Sequence, residues 1–482
     1  LFQDTPGEDL NELTEDKLYL LFAFAYPSGS GLHVGHVESK TALDILARYS
    51  RMQGKNVFFP VGWDAFGLPA ENYAIETGIP PAITTQNAIN TFRKQVHRIG
   101  ISYDWANEVA TCDPEYYKWT QWMFSELYKK GLAYQDDGPV NWCPKDQTVL
   151  ANEQVEDGKC FRCHSDVVQK QMKQWFFRIT DYKDQLIDGL DTVDWPESTK
   201  KQQKDWIGKQ EGANVSFHLK DTGVDLTCFT TRVDTIHGVT FVVIAPEKFS
   251  EYSLERYVPD NARDKVNEYM DKARHKTEEQ RKKGEKDKSG VDTGLVIVNP
   301  VTNEEVPLFL ADYVLANYGT GVVMGVPAHD ERDHAFAVKY GLPIRRVIES
   351  GQSDDQNASS DEGILINSGQ FNGLTSIQAN EKIIQEFSRF IRPATTYKFR
   401  DWLISRQRYW GAPIPVVYDP DGNPHLVKEE HLPWLLPTDV DFKPTGESPL
   451  RSSKEFIERT ERLYGKGWRP EFDTMDTFVD SS

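Results

Sequence analysis

At 482 residues, with 55 Lys and Arg against 74 Asp and Glu, the chain carries a net charge of -19, which speaks against a surface built throughout to grip nucleic acid. The length exceeds one typical domain and allows at least two hydrophobic cores. No apolar run nears the roughly 20 residues of a membrane span and no signal segment opens the chain, while five cysteines make no disulfide framework and fit a reducing compartment.

In chain order, the apolar run Leu18 to Phe24 predicts a parallel strand buried on both faces. Tyr26-Pro27-Ser28-Gly29-Ser30-Gly31-Leu32-His33-Val34-Gly35-His36 follows, a Gly-rich strand-to-helix turn in which two imidazoles close around a glycine. Such a turn reads as a triphosphate cradle, with Gly29, Gly31 and Gly35 admitting the ligand and His33 and His36 beside it. Ala42, Ile45, Leu46 and Tyr49 fall at i, i+3, i+4 and i+7, predicting one face of a helix that Gly54 can end. Val57 to Phe59 completes a strand-helix-strand unit whose first turn carries the glycines, the place where open α/β sheets bind nucleotides. Taken alone, such a turn is more often a Gly-rich loop with two surface histidines, since short motifs match by chance.

Gly62-Trp63-Asp64-Ala65-Phe66-Gly67-Leu68-Pro69-Ala70-Glu71 then places a carboxylate at the carboxyl edge of the same sheet. A helix is expected over Tyr116 to Lys130, its Trp and Tyr stripe read as core packing. Cys143, Asp146, Cys160 and Cys163 form two pairs at x-x spacing, which suits tetrahedral zinc because each tight turn presents two side chains to one ion. Only three are cysteine, so the fourth ligand is Asp146, His164 or water; the alternative is a knuckle that keeps its turns without metal. Cys112 and Cys228 lack partners at ligand spacing and read as buried small hydrophobes. Val215 to Leu219, Leu226 to Thr231 and Val239 to Ala245 are β-rich. The charged stretch Asp260 to Lys288 reads as a solvated helix face and tail, and Gly351 to Gly363 as an exposed loop.

The two motifs around His33 and Asp64 resemble those of the class I aminoacyl-tRNA synthetases, and the wording Trp63 to Glu71 is similar to that of the leucine enzymes. Asp146 to Val155, Thr230 to Thr235, and Arg400-Asp401-Trp402 through Arg406 to Pro415 repeat the match in the family's order. The resemblance implies an α/β fold: a Rossmann-type catalytic domain with a small zinc-module insertion and an inserted β-rich α/β editing domain. The expected division is residues 1–140 for the first half of the catalytic domain, 141–170 for the zinc module, 171–207 for a connection, 208–399 for editing, and 400–482 for the return to the catalytic domain. Lacking an initiating Met and the family's Lys-Met-Ser-Lys-Ser loop, the sequence reads as the amino-terminal part of a larger enzyme.

The same resemblance implies the chemistry. The leucine carboxylate would attack the α-phosphate of ATP, with Mg2+ attending the phosphates, to give leucyl-adenylate and pyrophosphate, and transfer to tRNA(Leu) would follow. His33 and His36 would stabilise the phosphates, Asp64 would pair with the α-ammonium, and Tyr26 and Ser482 would line the side-chain pocket. Because leucine differs from isoleucine or norvaline by only about 1 to 3 kcal/mol of apolar contact, a second, hydrolytic site is expected. There Thr230, Thr231, Arg232, Asp234 and Thr235 would face Met324, Asp330 and Asp333. Asp333 would hold the ammonium, Thr235 would exclude leucine, and the other threonines with Asp330 would order the ester and water. Ala25, Val233 and Ala328 depart from the family's usual proline, proline and glycine.

A monomer, or a pair with a complementary subunit if the gene is split, is expected in the cytoplasm or an organellar matrix, with no membrane contact. The competing readings are another synthetase of the isoleucine, valine or methionine group, and a non-catalytic RNA-binding relative.

Overall fold

The computed structural model describes residues 16–27, 31–145, 148–150, 155–156, 158–160, 163–274, 289–314, 319–350, 357–440 and 447–481. Its first part runs β1 (Lys17–Tyr19), α1 (Val34–Met52), β2 (Asn56–Phe58), β3 (Pro60–Trp63), α2 (Leu68–Thr77), α3 (Pro81–Ile99), β4 (Asp104–Ala110) and α4 (Pro114–Lys129). β1 pairs in parallel with β2, β3 with β4, and Ala25 bridges Trp63 in the same sense. β2 and β3 are successive pieces of one extended run, so these segments form a small parallel sheet with β2/β3 in the middle. α1 and α3 are its crossovers.

Two expectations fail here. Leu18 to Phe24 is not buried on both faces: Tyr19 and Leu21 are exposed, because among the described residues β1 pairs only with β2. The predicted face of α1 is also inverted. Ala42, Ile45, Leu46 and Tyr49 are exposed, and Lys40, Asp44, Ala47 and Ser50 are buried. The polar face turns inward because its groups find partners there. Asp44 accepts from the Ser102 N–H at 2.7 Å and from Arg48 Nε at 2.7 Å, and Lys40 Nζ meets the Tyr103 hydroxyl at 3.3 Å, which removes most of the penalty of burying them. In α4 the expected core stripe is partial: Tyr117 and Phe124 are buried, whereas Trp119, Trp122 and Met123 face outward.

The chain continues through the long hairpin strands β5 (Ala133–Cys143) and β9 (Val168–Phe177), with β6 (Thr148–Leu150), β7 (Val155–Glu156) and β8 (Lys159–Cys160) between them. After β9 come α5 (Lys183–Gly189) and α6 (Glu197–Ile207).

A seven-stranded mixed sheet follows, built from β10 (Gln210–Leu219), β11 (Asp225–Thr230), β12 (Phe241–Ile244), β13 (Val291–Val298), β14 (Glu305–Leu310), β15 (Val322–Gly325) and β18 (Ile391–Thr396). Around it lie α7 (Pro246–Glu251), α8 (Asp260–Arg274), the short strands β16 (Ile348–Glu349) and β17 (Ile364–Leu365), α9 (Glu331–Tyr340) and α10 (Ser376–Glu386). β12 is buried at every position, as expected of a strand covered on both faces. α8 is more than a solvated face: Ala262, Val266 and Met270 form a stripe packed into the sheet's core, and Ala273 is buried as well. Of the expected exposed loop at 351–363, residues 357–363 are described and are half-buried or exposed.

The returning segment holds β19 (Trp402–Leu403), β20 (Ser405–Arg406), β21 (Val416–Tyr418), β22 (Pro424–Leu426), α11 (Lys454–Tyr464), β23 (Arg469–Pro470), β24 (Thr474–Met475) and α12 (Thr477–Ser481). β19 extends the hairpin sheet along β9, and β20 pairs with β24. Phe66, Phe124, Trp175, Trp410, Trp434 and Phe456 share one core. Each such side chain contributes on the order of 2 to 3 kcal/mol by leaving water, so the early and late segments are held as one body.

Candidate functional site

The turn before α1 is built around its two histidines. His33 is the N-cap. Its Nδ1 accepts from the His36 N–H at 3.3 Å, and His36 Nδ1 accepts from the His33 N–H at 3.5 Å, a reciprocal capping box made of imidazoles. The rings stack with centroids 3.6 Å apart. Accepting at Nδ1 fixes the neutral tautomer with the proton on Nε2, so each ring offers one N–H donor. Burial, then His33 and Lys40, depress the pKa of His36, which favours that neutral form. Gly35 admits the stack, since a Cβ there would lie 3.2 Å from the His33 ring. Gly31, at φ +135°, has the Gln95 amide where a Cβ would stand, and Gln95 Oε1 accepts from the Leu32 N–H at 2.7 Å. No motif pointed to Gln95. Gly29 lies outside the described residues.

At the end of β3, the next motif closes a second feature. Asp64 is 8% exposed, and its Oδ1 accepts from the Thr477 hydroxyl at 3.2 Å. Burial raises the pKa of Asp64, Thr477 and Ser481 oppose the rise, and Asp476 adds to it. Tyr26 lies alongside, its phenol pushed up to about 12 by burial and by Asp64, and its hydroxyl occupies the space a Cβ would need at Gly67. Asp480 is fully buried nearby and its carboxyl is pushed well above the usual range by burial. Arg406 pairs with Asp476. Sequence motifs point to Tyr26 and Asp64 but not to Thr477, Asp476 or Asp480. The segment holding these three has no motif of its own, and its one expected residue, Ser482, lies outside the described residues.

In the large sheet, the threonine peptide ends β11. Thr230 Oγ1 accepts from the Arg232 N–H at 3.0 Å, Arg232 forks onto the buried Asp234 with Nε–Oδ1 and Nη2–Oδ2 both at 3.0 Å, and the Thr235 hydroxyl donates to the Arg232 carbonyl at 2.7 Å. The second peptide faces it: the Met324 N–H donates to Cys228 Sγ of β11 at 3.2 Å. Asp330 caps α9, its Oδ1 accepting from the Arg332 and Asp333 N–H groups at 2.8 and 3.1 Å, so half of that carboxylate already serves the helix. Asp333 is 5% exposed and its Oδ2 accepts from the Val326 N–H at 2.9 Å. His329 bridges the region structurally: its Nε2 accepts from the Val347 N–H at 3.0 Å, and burial lowers its pKa to about 4.

Cys143, Cys160 and Cys163 bring their sulfurs within 4.8 Å of one another. The Ser165 hydroxyl lies 3.2 Å from Cys143 Sγ and 3.0 Å from Cys163 Sγ, a neighbour that the x-x spacing did not reveal. His164 is exposed and outside the cluster, and Asp146 is outside the described residues. Three thiols converging in a small, mostly buried knot fit a soft divalent ion.

Residues 18–170 match the family described as tRNA synthetases class I (M), and residues 381–481 match tRNA synthetases class I (I, L, M and V). Residues 204–388 match the family described as leucyl-tRNA synthetase, editing domain. The parallel sheet with its histidine-capped helix, interrupted by a second sheet, is thus the α/β architecture of a class I aminoacyl-tRNA synthetase. The chain belongs to the leucyl-tRNA synthetase family. It is 51% identical over 470 residues to a leucine–tRNA ligase of Clostridium perfringens, which covers 97% of this chain and 57% of that protein. It is also 51% identical over 475 residues to one of Clostridium beijerinckii, with the same two shares. A crystal structure of the Agrobacterium radiobacter LeuRS in a ternary complex with tRNA and LeuAMS matches with a TM-score of 0.75 and 40% identity, covering 96% of this chain and 55% of that one. The chain spans little more than half the length of these relatives.

Proposed function

We propose that this chain carries the leucine-activating site and the proofreading site of an ATP-dependent leucine–tRNA ligase. The observation that carries the reading is the junction of Asp64, Thr477 and Tyr26, a buried acidic pocket at the carboxyl end of the strand next to the one that leads into the His33–His36 turn. The N-terminus of α1 and the two Nε2–H donors suit the phosphates of ATP with their Mg2+, and Asp64 suits the α-ammonium of leucine. Little covalent chemistry is asked of the protein, so rate would come from positioning and charge stabilisation. Residues 1–140 and 400–482 make up this unit.

Residues 208–399 form the editing unit in this reading. Asp333 holds the ammonium of a mischarged amino acid, Thr235 limits the side-chain space, and Thr230, Thr231 and Met324 line the rest. Arg232 and Asp234 brace the threonine peptide, and Asp330 positions the segment that bears Asp333. Residues 141–170 hold zinc on Cys143, Cys160 and Cys163, with Asp146 or water as fourth ligand, and residues 171–207 connect the two sheets. The ion supplies a cross-link that fixes the tip of the β5–β9 hairpin. The partners are leucine and tRNA(Leu), and the setting is the cytoplasm; no helix among the described residues is long and apolar enough to cross a membrane.

Leucine-dependent ATP–pyrophosphate exchange by the protein supplied with the Lys-Met-Ser-Lys-Ser loop, with deacylation of mischarged tRNA(Leu), tests the reading. Exchange stimulated by isoleucine, valine or methionine in place of leucine would assign the chain to another specificity.

A further inference from the structure

A cavity of about 280 Å3 opens between the β5–β9 hairpin and the returning segment. Its charge runs against that of the chain, whose net charge is -19. Lys170 and Lys173 of β9 line it from one side, and Arg451 and Arg469 from the other; all four residues are exposed. Three carboxylates share the lining. Glu447 is 3.5 Å from Arg451. Glu471 is buried and satisfied, accepting from Trp175 Nε1 at 2.8 Å, the Tyr418 hydroxyl at 2.6 Å and the Phe472 N–H at 2.7 Å. Asp473, half-buried, accepts from Gln407 Nε2 at 2.7 Å.

Burial and the neighbouring Glu471 raise the pKa of the Asp473 carboxyl far above the usual range. Four cations face three carboxylates in the lining, one of them, Glu471, already engaged by its own hydrogen bonds, so the lining keeps a positive surplus. Three of the cations also lie over rings: Lys170 Nζ is 4.1 Å from the Trp142 centroid, and the Arg451 and Arg469 guanidiniums are 4.7 and 5.3 Å from those of Phe472 and Tyr418. Such pairs hold a cation in place with its N–H edges available to phosphate. The floor offers both a carboxyl and an amide, groups that bind a sugar hydroxyl.

We propose that this cavity receives one ribonucleotide unit of an RNA strand, with phosphates on Lys170, Lys173, Arg451 and Arg469 and ribose hydroxyls on Asp473 and Gln407. The proposal rests on the reading of this chain as an enzyme that acts on tRNA. The cavity adjoins the amino-acid pocket across the β20–β24 ladder: Arg406 and Asp476 belong to the pocket side, Gln407 and Asp473 to the cavity.

The test is binding of a tRNA(Leu) transcript to this chain across a salt series, for wild type, Lys170→Ala/Lys173→Ala and Arg451→Ala/Arg469→Ala. Each pair of exposed cations should weaken binding about tenfold near 0.1 M salt and flatten the log–log salt dependence by roughly 0.7 for every phosphate no longer neutralised. Asp473→Asn should leave the salt slope unchanged. Wild-type affinity and slope in both double variants would overturn the cavity while leaving the tRNA reading intact; absence of tRNA binding by the wild type would overturn that reading itself. Thermal melting accompanies each variant, and if the arginine pair lowers the midpoint, the lysine pair decides.

Discussion

Glu71 and Trp410, 339 residues apart in sequence, are joined by a 2.9 Å hydrogen bond from the Trp410 backbone N–H to Glu71 Oε2, and the same oxygen accepts from the Tyr409 N–H at 3.0 Å. The bond is returned nearby, where Trp410 Nε1 donates to the Ala65 carbonyl at 2.8 Å. The last residue of the Trp63 to Glu71 motif thus fastens the chain's return across the large insertion. Glu71→Ala would leave two buried N–H groups without an acceptor, at about 1 to 3 kcal/mol each. Denaturant unfolding should show that loss, whereas Glu71→Gln, which keeps an acceptor, should cost much less. Burial raises the folded-state pKa of Glu71, with Arg408 opposing. Its contribution to stability is therefore fully present below the unfolded carboxylate pKa and falls as pH rises towards the folded one. Glu71→Gln should remove that pH dependence, and an unchanged pH profile would refute the assignment.

His36 serves the helix with Nδ1 and the proposed phosphate site with Nε2, and the two roles separate by substitution. Glutamine at the third helical position completes a capping box, so His36→Gln should keep the melting midpoint while lowering the chemical step of activation. His36→Ala should lose about 1 kcal/mol of cap as well. Acid should disturb the cap, because a protonated Nδ1 no longer accepts, while Nε2 keeps its N–H. The His36 pKa is depressed, so stability is full above the ordinary imidazole pKa of about 6.5 and is lost as pH falls through the lower folded value. A cap intact by NMR below that range would contradict the arrangement.

Tyr26 and Gly67 compete for one space. Gly67→Ala, strained at φ +122° and placed against the Tyr26 hydroxyl, should raise the KM for leucine through displacement of Tyr26. Combining it with Tyr26→Phe should recover part of the loss, since the clashing oxygen is gone. Additive defects in the double variant would mean that the ring does not shape the pocket.

Much of this was legible in the sequence because glycines and histidines at fixed spacing leave few geometries open. The strand-turn-helix unit, the β-rich insertion and the meeting of the cysteines follow from local chemistry. Burial did not follow. The α1 periodicity marked Ile45 and Tyr49 as core, yet the helix turns Asp44 and Lys40 inward, because Ser102 and Tyr103, more than 50 residues away, supply partners that no window of sequence contains. Thr477 was invisible for the same reason: a lone threonine becomes part of a site only when folding brings it to Asp64.

Metal analysis addresses the hairpin tip. About one zinc per chain is expected after chelator-free reducing purification, and Cys160→Ser or Cys163→Ser should abolish it while the seven-stranded sheet still melts as in the wild type. Ser165→Ala separates the neighbouring hydroxyl from the ligands: it should retain the ion. No metal in the wild type would favour a knuckle held by its turns alone.

The proposed editing site allows a substitution to create an activity. Thr235 is 1% exposed and its hydroxyl holds the Arg232 carbonyl, so two effects are mixed in any change there. If its bulk excludes leucine, Thr235→Ala should let the chain hydrolyse leucyl-tRNA, whereas Thr235→Val, similar in volume but without the hydroxyl, should still reject it. If the hydroxyl's bond shapes the loop instead, both variants should behave alike. Asp333 needs the same care, since its Oδ2 also accepts from Val326. Asp333→Ala removes the charge and leaves that N–H unpaired, while Asp333→Asn keeps an acceptor and loses only the charge. Hydrolysis of isoleucyl- and norvalyl-tRNA should fall in both, by roughly the 2 to 3 kcal/mol or more of a buried charged contact, which is about 30-fold or greater. Wild-type deacylation by Asp333→Asn would remove Asp333 from the ammonium site and leave it only the Val326 bond.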